Sequence, residues 1–223
     1  IYFKKIEDFL SDATTAQRKN KLTNDYLTSF FVAYDGRTIS SHFSYQRKVL
    51  NIVYDSQSTY EAKETFIKRM GNYAEFYQMW LKYDGKGVLP IISGADDAIL
   101  ASMLMLFLRS SNHKMAITVF ASLFGDSKYS KELFVDSVKC VAAYFFLWRS
   151  TSSNSGLDST YREFFKHNSG ESFTLENLKK YFRDMLNKKE IDTANNWKIK
   201  AKNYLKYDKT GKDIVRLALL IAA

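Results

Sequence analysis

STYEAKETFIKRMGNYAEFYQMWL, residues 58–81, carries the pattern that decides the fold: Phe66, Met70, Tyr73, Tyr77 and Trp80 follow one another at alternating steps of four and three. That spacing lays one apolar stripe along an α-helix, whereas a strand alternates at every second residue. Ser58-Thr59 with Glu61 supplies the start signal, since a hydroxyl and a following acid satisfy the free N–H groups of a first turn. Ile67 and Phe76 widen the stripe into a core-facing side.

The same spacing extends in both directions. Upstream, residues 1–10 put Phe3, Ile6, Phe9 and Leu10 on one face of a short helix. A polar stretch follows over residues 11–21, and Thr23 or Asn24 is expected to cap a helix through Tyr26, Leu27, Phe30, Phe31 and Tyr34 that ends at Asp35-Gly36. Another helix begins near Ser44 and carries Tyr45, Val49, Leu50, Ile52 and Val53. Downstream, residues 83–94 hold Gly85, Gly87, Gly94 and the only proline, Pro90, so backbone freedom concentrates there. Beyond them come helical patterns at 96–109, 115–124, 130–149, around Tyr161 to Phe165, at 175–186, at 197–207 and at 214–223. The expected architecture is an all-α, irregular multi-helix bundle of about ten helices. It divides into an N-terminal lobe (1–82), a linker (83–94) and a C-terminal lobe (95–223) that continues past the last residue. One proline and nine glycines in 223 residues are too few turn formers for a many-stranded sandwich or barrel.

Composition excludes other classes. Apolar types make up 46% and aromatics 16%, which rules out a disordered or fibrous chain. The uncharged run 98–108 is shorter than the roughly 20 residues a membrane span requires, so no membrane partner is expected. A single cysteine, Cys140, forms no internal disulfide and no thiolate cluster, which points to the cytoplasm.

Catalytic signatures are scarce. Neither a phosphate-binding P-loop nor a dinucleotide fingerprint occurs, and His42, His113 and His167 lack the spacing of helix-borne zinc ligands. No metal, no cofactor and no catalytic residue is therefore expected. His42, among serines ahead of a helix, is the residue most open to a catalytic reading, against a plain role beside a cap. Cys140 lies among Val138, Val141 and Ala142, where a thiol behaves as a small hydrophobe.

Charge is the one uneven property. The protein carries a net charge of +9, and residues 179–216 hold 12 basic side chains against five acidic ones. Within them Trp197, Ala201, Tyr204 and Leu205 form an apolar stripe, and Lys198, Lys202, Lys206 and Lys209 fall on an adjacent face. Lys179 and Arg183 add cations on the preceding helix. A row of this kind either is a solvated face or contacts a polyanion such as the DNA backbone, which needs only cations held in register.

Four stretches together resemble a known family: residues 22–27 (LTNDYL) with Phe30-Phe31; residues 42–48 (HFSYQRK); Trp148-Arg149-Ser150 with residues 155–158 (SGLD) and Tyr161-Arg162; and residues 214–220 (IVRLALL). They are similar to the central helical region of GmrSD-type restriction and phage-defence proteins of bacteria. In that family a ParB-like nucleotide-binding domain precedes the helical region and an HNH-type nuclease domain often follows it. The family's DGQQR-like nucleotide motif has no counterpart, because Asp35-Gly36-Arg37 and Asp84-Gly85-Lys86 lack the glutamine pair. The resemblance therefore implies a non-catalytic middle domain, with both active sites and both neighbouring domains elsewhere in a longer chain; the alternative is a helical protein-interaction or scaffold module. Of the residues that carry it, Arg149 is placed to cap helix carbonyls or pair with Asp158, Trp148 to pack on Tyr161, and Arg162 to pair with Asp158 one turn away; the alternative for Trp148-Arg149 is a part in relaying nucleotide state to the nuclease.

Overall fold

The computed structural model describes residues 1–94, 96–111, 113, 115–125, 130–169, 173–191, 193–205 and 212–222. Helix accounts for 76% of the structure and there is no strand among the described residues, so the all-α expectation holds. Eleven helices follow in order: α1 (Tyr2–Ser11), α2 (Ala16–Asp35), α3 (Phe43–Asp55), α4 (Tyr60–Lys82), α5 (Asp96–Ser110), α6 (Ala116–Gly125), α7 (Lys131–Arg149), α8 (Leu157–His167), α9 (Leu175–Lys188), α10 (Ala194–Tyr204) and α11 (Lys212–Ala222).

One local device starts five of them. The side chains of Thr15, Thr59, Ser130, Thr174 and Thr193 accept from the backbone N–H three residues on, at the starts of α2, α4, α7, α9 and α10. Each satisfies an amide that the helix leaves unpaired. Thr15 corrects the sequence expectation for α2. The helix begins about two turns before Thr23, because Thr15 caps it and Ala16-Gln17-Arg18-Lys19 are good helix formers that need no core contact. Thr23 lies inside the helix and donates to the Lys19 carbonyl. Phe3 does not take the inner face of α1 that the spacing predicts: it is 64% exposed, while Phe9 is buried.

The expected α4 stripe lies in the middle of the fold. Phe66, Met70, Tyr73, Phe76, Tyr77 and Trp80 are all buried, with α1 on one side of α4 and α6 on another. Gly71 permits the approach of α1: a Cβ there would lie 2.9 Å from the Tyr2 carbonyl oxygen. Tyr26 of α2 donates to the Met70 carbonyl at 2.8 Å, and its ring packs edge-on against those of Tyr73 and Tyr77. Arg109 closes the far end of α4 by donating to the carbonyls of Trp80 and Leu81.

Residues 83–94 turn the chain from α4 into α5. Gly85, Gly87 and Gly94 adopt positive φ there, while Leu89 and Ile92 are buried and the Leu89 amide donates to Ser102 Oγ. Aromatic contacts join the elements on either side: Phe76 packs on Phe134 and Trp80 on Phe120, with ring centres 6.0 and 6.1 Å apart. The buried residues of both segments form one continuous core. No described helix is long and apolar enough to cross a membrane.

Candidate polyanion surface and the helix junction behind it

α9 and α10 each bury a stripe and expose cations around it, on α9 together with the acids Glu176 and Asp184. On α9, Leu178 and Phe182 are buried, and Lys179, Lys180, Arg183 and Lys188 are exposed. On α10, Ala201 is buried and Trp197, Tyr204 and Leu205 are half-buried, as the expected stripe requires, leaving Lys198 and Lys202 exposed one turn apart. None of these six cations has an acidic partner among the described residues. Lys206 and Lys209 lie outside the described residues.

Two neighbouring basic residues are committed to the fold. Lys200 donates to Glu190 Oε2 at 3.0 Å and to the Lys189 carbonyl, closing the turn from α9 to α10 in which Glu190 takes a positive φ of 56°. Lys189 Nζ sits 3.7 Å from the centre of the Trp148 ring, a cation–π contact. Burial and the nearby Lys200 charge hold the Lys189 ammonium below its ordinary pKa.

That contact belongs to a junction built from the Trp148-Arg149-Ser150 run. Trp148 donates through Nε1 to the Ser153 carbonyl at 3.0 Å, and Arg149 donates to the Ser152 carbonyl at 3.1 Å. Arg149 thus secures the loop after α7, and neither it nor Arg162 forms an ion pair with Asp158 among the described residues. Trp148 does not stack on Tyr161; Tyr144 lies between, 5.8 Å from Trp148 and 6.4 Å from Tyr161. Trp197 Nε1 donates to Ser150 Oγ at 2.8 Å, which fixes α10 to the end of α7.

Tyr161 has a different partner, which the sequence did not single out. Its hydroxyl is 2.8 Å from Nε2 of the buried His113, whose ring lies 4.5 Å from that of Phe145. Burial first, then the positive Arg149, pushes the His113 pKa down to about 3, so the ring is neutral at physiological pH. His42 is exposed at the start of α3, and its ring has no hydrogen-bond partner among the described residues. Burial pushes the Cys140 thiol up to about 11, which leaves it protonated and weakly nucleophilic. Among the described residues no group of three His, Cys, Asp or Glu side chains is arranged to hold a metal ion.

These features define a helical module with exposed cations on α9 and α10 and a tightly bonded junction at the end of α7. Neither a scan against protein-family models nor a search of curated proteins finds a match to this chain.

Proposed function

We propose that this chain is a non-catalytic helical module that meets the phosphate backbone of DNA through the exposed cations of α9 and α10. In this reading it forms the middle of a larger bacterial defence protein of the GmrSD type, working in the cytoplasm between a nucleotide-binding domain and a nuclease domain. The carrying observation is the set of six exposed cations, without acidic partners among the described residues, on two consecutive helices: Lys179, Lys180, Arg183, Lys188, Lys198 and Lys202. Cations of this kind are free to replace the counterions of a phosphate backbone, and such contacts read no base. The position of the Trp148-Arg149-Ser150 run at a junction of α7, α9 and α10 supports a role in holding elements together rather than in chemistry.

Duplex retention at graded salt tests the reading. Binding is expected to be sequence-independent, at about 10⁻⁴–10⁻⁶ M, and to weaken steeply as salt rises. Lys198→Glu with Lys202→Glu is expected to reduce affinity equally for every duplex and to flatten the salt slope by about one unit for each phosphate no longer neutralised. Thermal stability is expected to stay within about 0.5 kcal/mol of the parent, because both side chains are exposed on the helix surface.

A protein-interaction or scaffold module is the second reading, favoured by an exposed apolar depression between α1 and α4. Phe3 and Tyr60 line it and are 64% and 78% exposed. Absence of duplex retention at low salt, or binding untouched by the double reversal, would replace the first reading with this one.

A further inference from the structure

α7 and α9 run side by side in the same direction. Cys140, midway along α7, lines the same groove as Lys179 in the second turn of α9, Tyr144 stacks on Phe182 one turn further with ring centres 3.9 Å apart, and Trp148 meets Lys189 at the two C-terminal ends. On the outer side the two helices leave an open groove of about 430 Å³, within the range of about 300–1,000 Å³ usual for small-molecule sites. α7 contributes residues from Asp136 to Leu147, a stripe of about 16 Å at 1.5 Å rise per residue.

The groove is graded along its length. Lys139 and Lys179 stand at the beginning and Arg183 midway, while Leu147, Leu186 and Ile191 line the far end. Asp136 is the acidic residue of the lining and Lys139 pairs with Asp97 at 2.6 Å, so Lys179 and Arg183 are the lining cations left without an acidic partner among the described residues. An ionic end and an apolar end in one trough match a molecule with the same division. From this we infer that the α7–α9 groove binds an anionic amphiphile, a single-chain carboxylate whose head meets Lys179 and Arg183 and whose alkyl chain lies toward Leu147, Leu186 and Ile191. The Arg183 fork suits the two oxygens of a carboxylate, and each methylene added within the groove tightens binding by about three- to fourfold. This site is separate from the polyanion reading, although both use Lys179 and Arg183, because Lys198 and Lys202 lie outside it.

The test uses Cys140, which is the only cysteine and lines the groove. Dodecanoate below its micelle-forming concentration is expected to slow maleimide labelling of Cys140 and to give saturable binding heat. Octanoate is expected to bind more weakly, and neither dodecanol nor acetate is expected to protect. Ala143→Trp, at an exposed groove position, is expected to abolish the binding heat while leaving duplex binding and melting temperature unchanged. Lys179→Glu with Arg183→Glu is expected to weaken dodecanoate by at least about tenfold, the loss of one charge-assisted hydrogen bond. Lys198→Glu with Lys202→Glu is expected to leave dodecanoate binding intact, which keeps this result apart from the DNA experiment. No protection by dodecanoate, equal protection by dodecanol, binding that survives Ala143→Trp, or protection by duplex DNA alone would each overturn the inference.

Discussion

His113 shows how a single residue can set the acid limit of the fold. Its ordinary pKa is near 6.5, and in the folded state burial lowers it to about 3. Below pH 6.5 the unfolded chain takes up a proton that the folded one refuses. Its contribution is therefore complete above pH 6.5 and is lost as pH falls toward 3, by up to about 1.4 kcal/mol per pH unit. Urea unfolding at pH 7, 5 and 4 is expected to show this slope, and His113→Gln is expected to flatten it by about one proton relative to the parent. A slope unchanged by the substitution would show that His113 does not govern it. None of this was legible in sequence, because neither the fold partner Tyr161 nor the ring of Phe145 is near His113 in the chain. Lys189 and Lys200 hold the same lesson: residue counting places them in the basic cluster, and only their bonds to Trp148 and Glu190 remove them from the exposed surface.

At the scale of elements, what sequence could fix depended on whether a helix shows its apolar face along its whole length. α5 and α7 do, and α4, whose first turn also faces solvent, announces itself through Thr59 and Glu61; the starts of all three were legible to within a residue or two. The first turns of α2 face solvent, so periodicity is silent there and Thr15 does not stand out as a start signal. The other end of α2 was legible, since Asp35-Gly36 closes it with Gly36 at φ +73°. A Cβ at Gly36 would also overlap the backbone of Lys166 in α8. Gly36→Ala is therefore expected to cost more than the about 1–2 kcal/mol of a left-handed residue alone, by loosening α2 from α8, and thermal unfolding measures it. Ser130→Ala is expected to cost about 1 kcal/mol by uncapping α7. For the candidate surface, sequence placed the Lys198 and Lys202 pair and the partly buried stripe beside it, but not the groove, whose two walls come from helices separated in the chain by α8.

For the molecule as a whole, the decisive contacts cross the turn at residues 83–94. Phe76 and Trp80 find their aromatic partners in α7 and α6, and α2 packs on both α6 and α8. Unfolding is therefore expected as one transition, with the same midpoint by helix signal and by protection of amides in α4 and α7. Residues 1–94 made alone are expected not to fold, because the apolar side of α4 would face water. Two separated transitions, or a folded 1–94 piece, would contradict a shared core.

The three tryptophans occupy unequal places, and this gives the protein an optical map of itself. Trp80 is sealed between α4 and α6, whereas Trp148 lies under an ammonium group and Trp197 is held by one hydroxyl at the start of α10. Ser150→Ala removes that hydroxyl, so the Trp197 emission is expected to move to longer wavelength while that of Trp80 stays put. Each indole thus reports a different layer of the same chain.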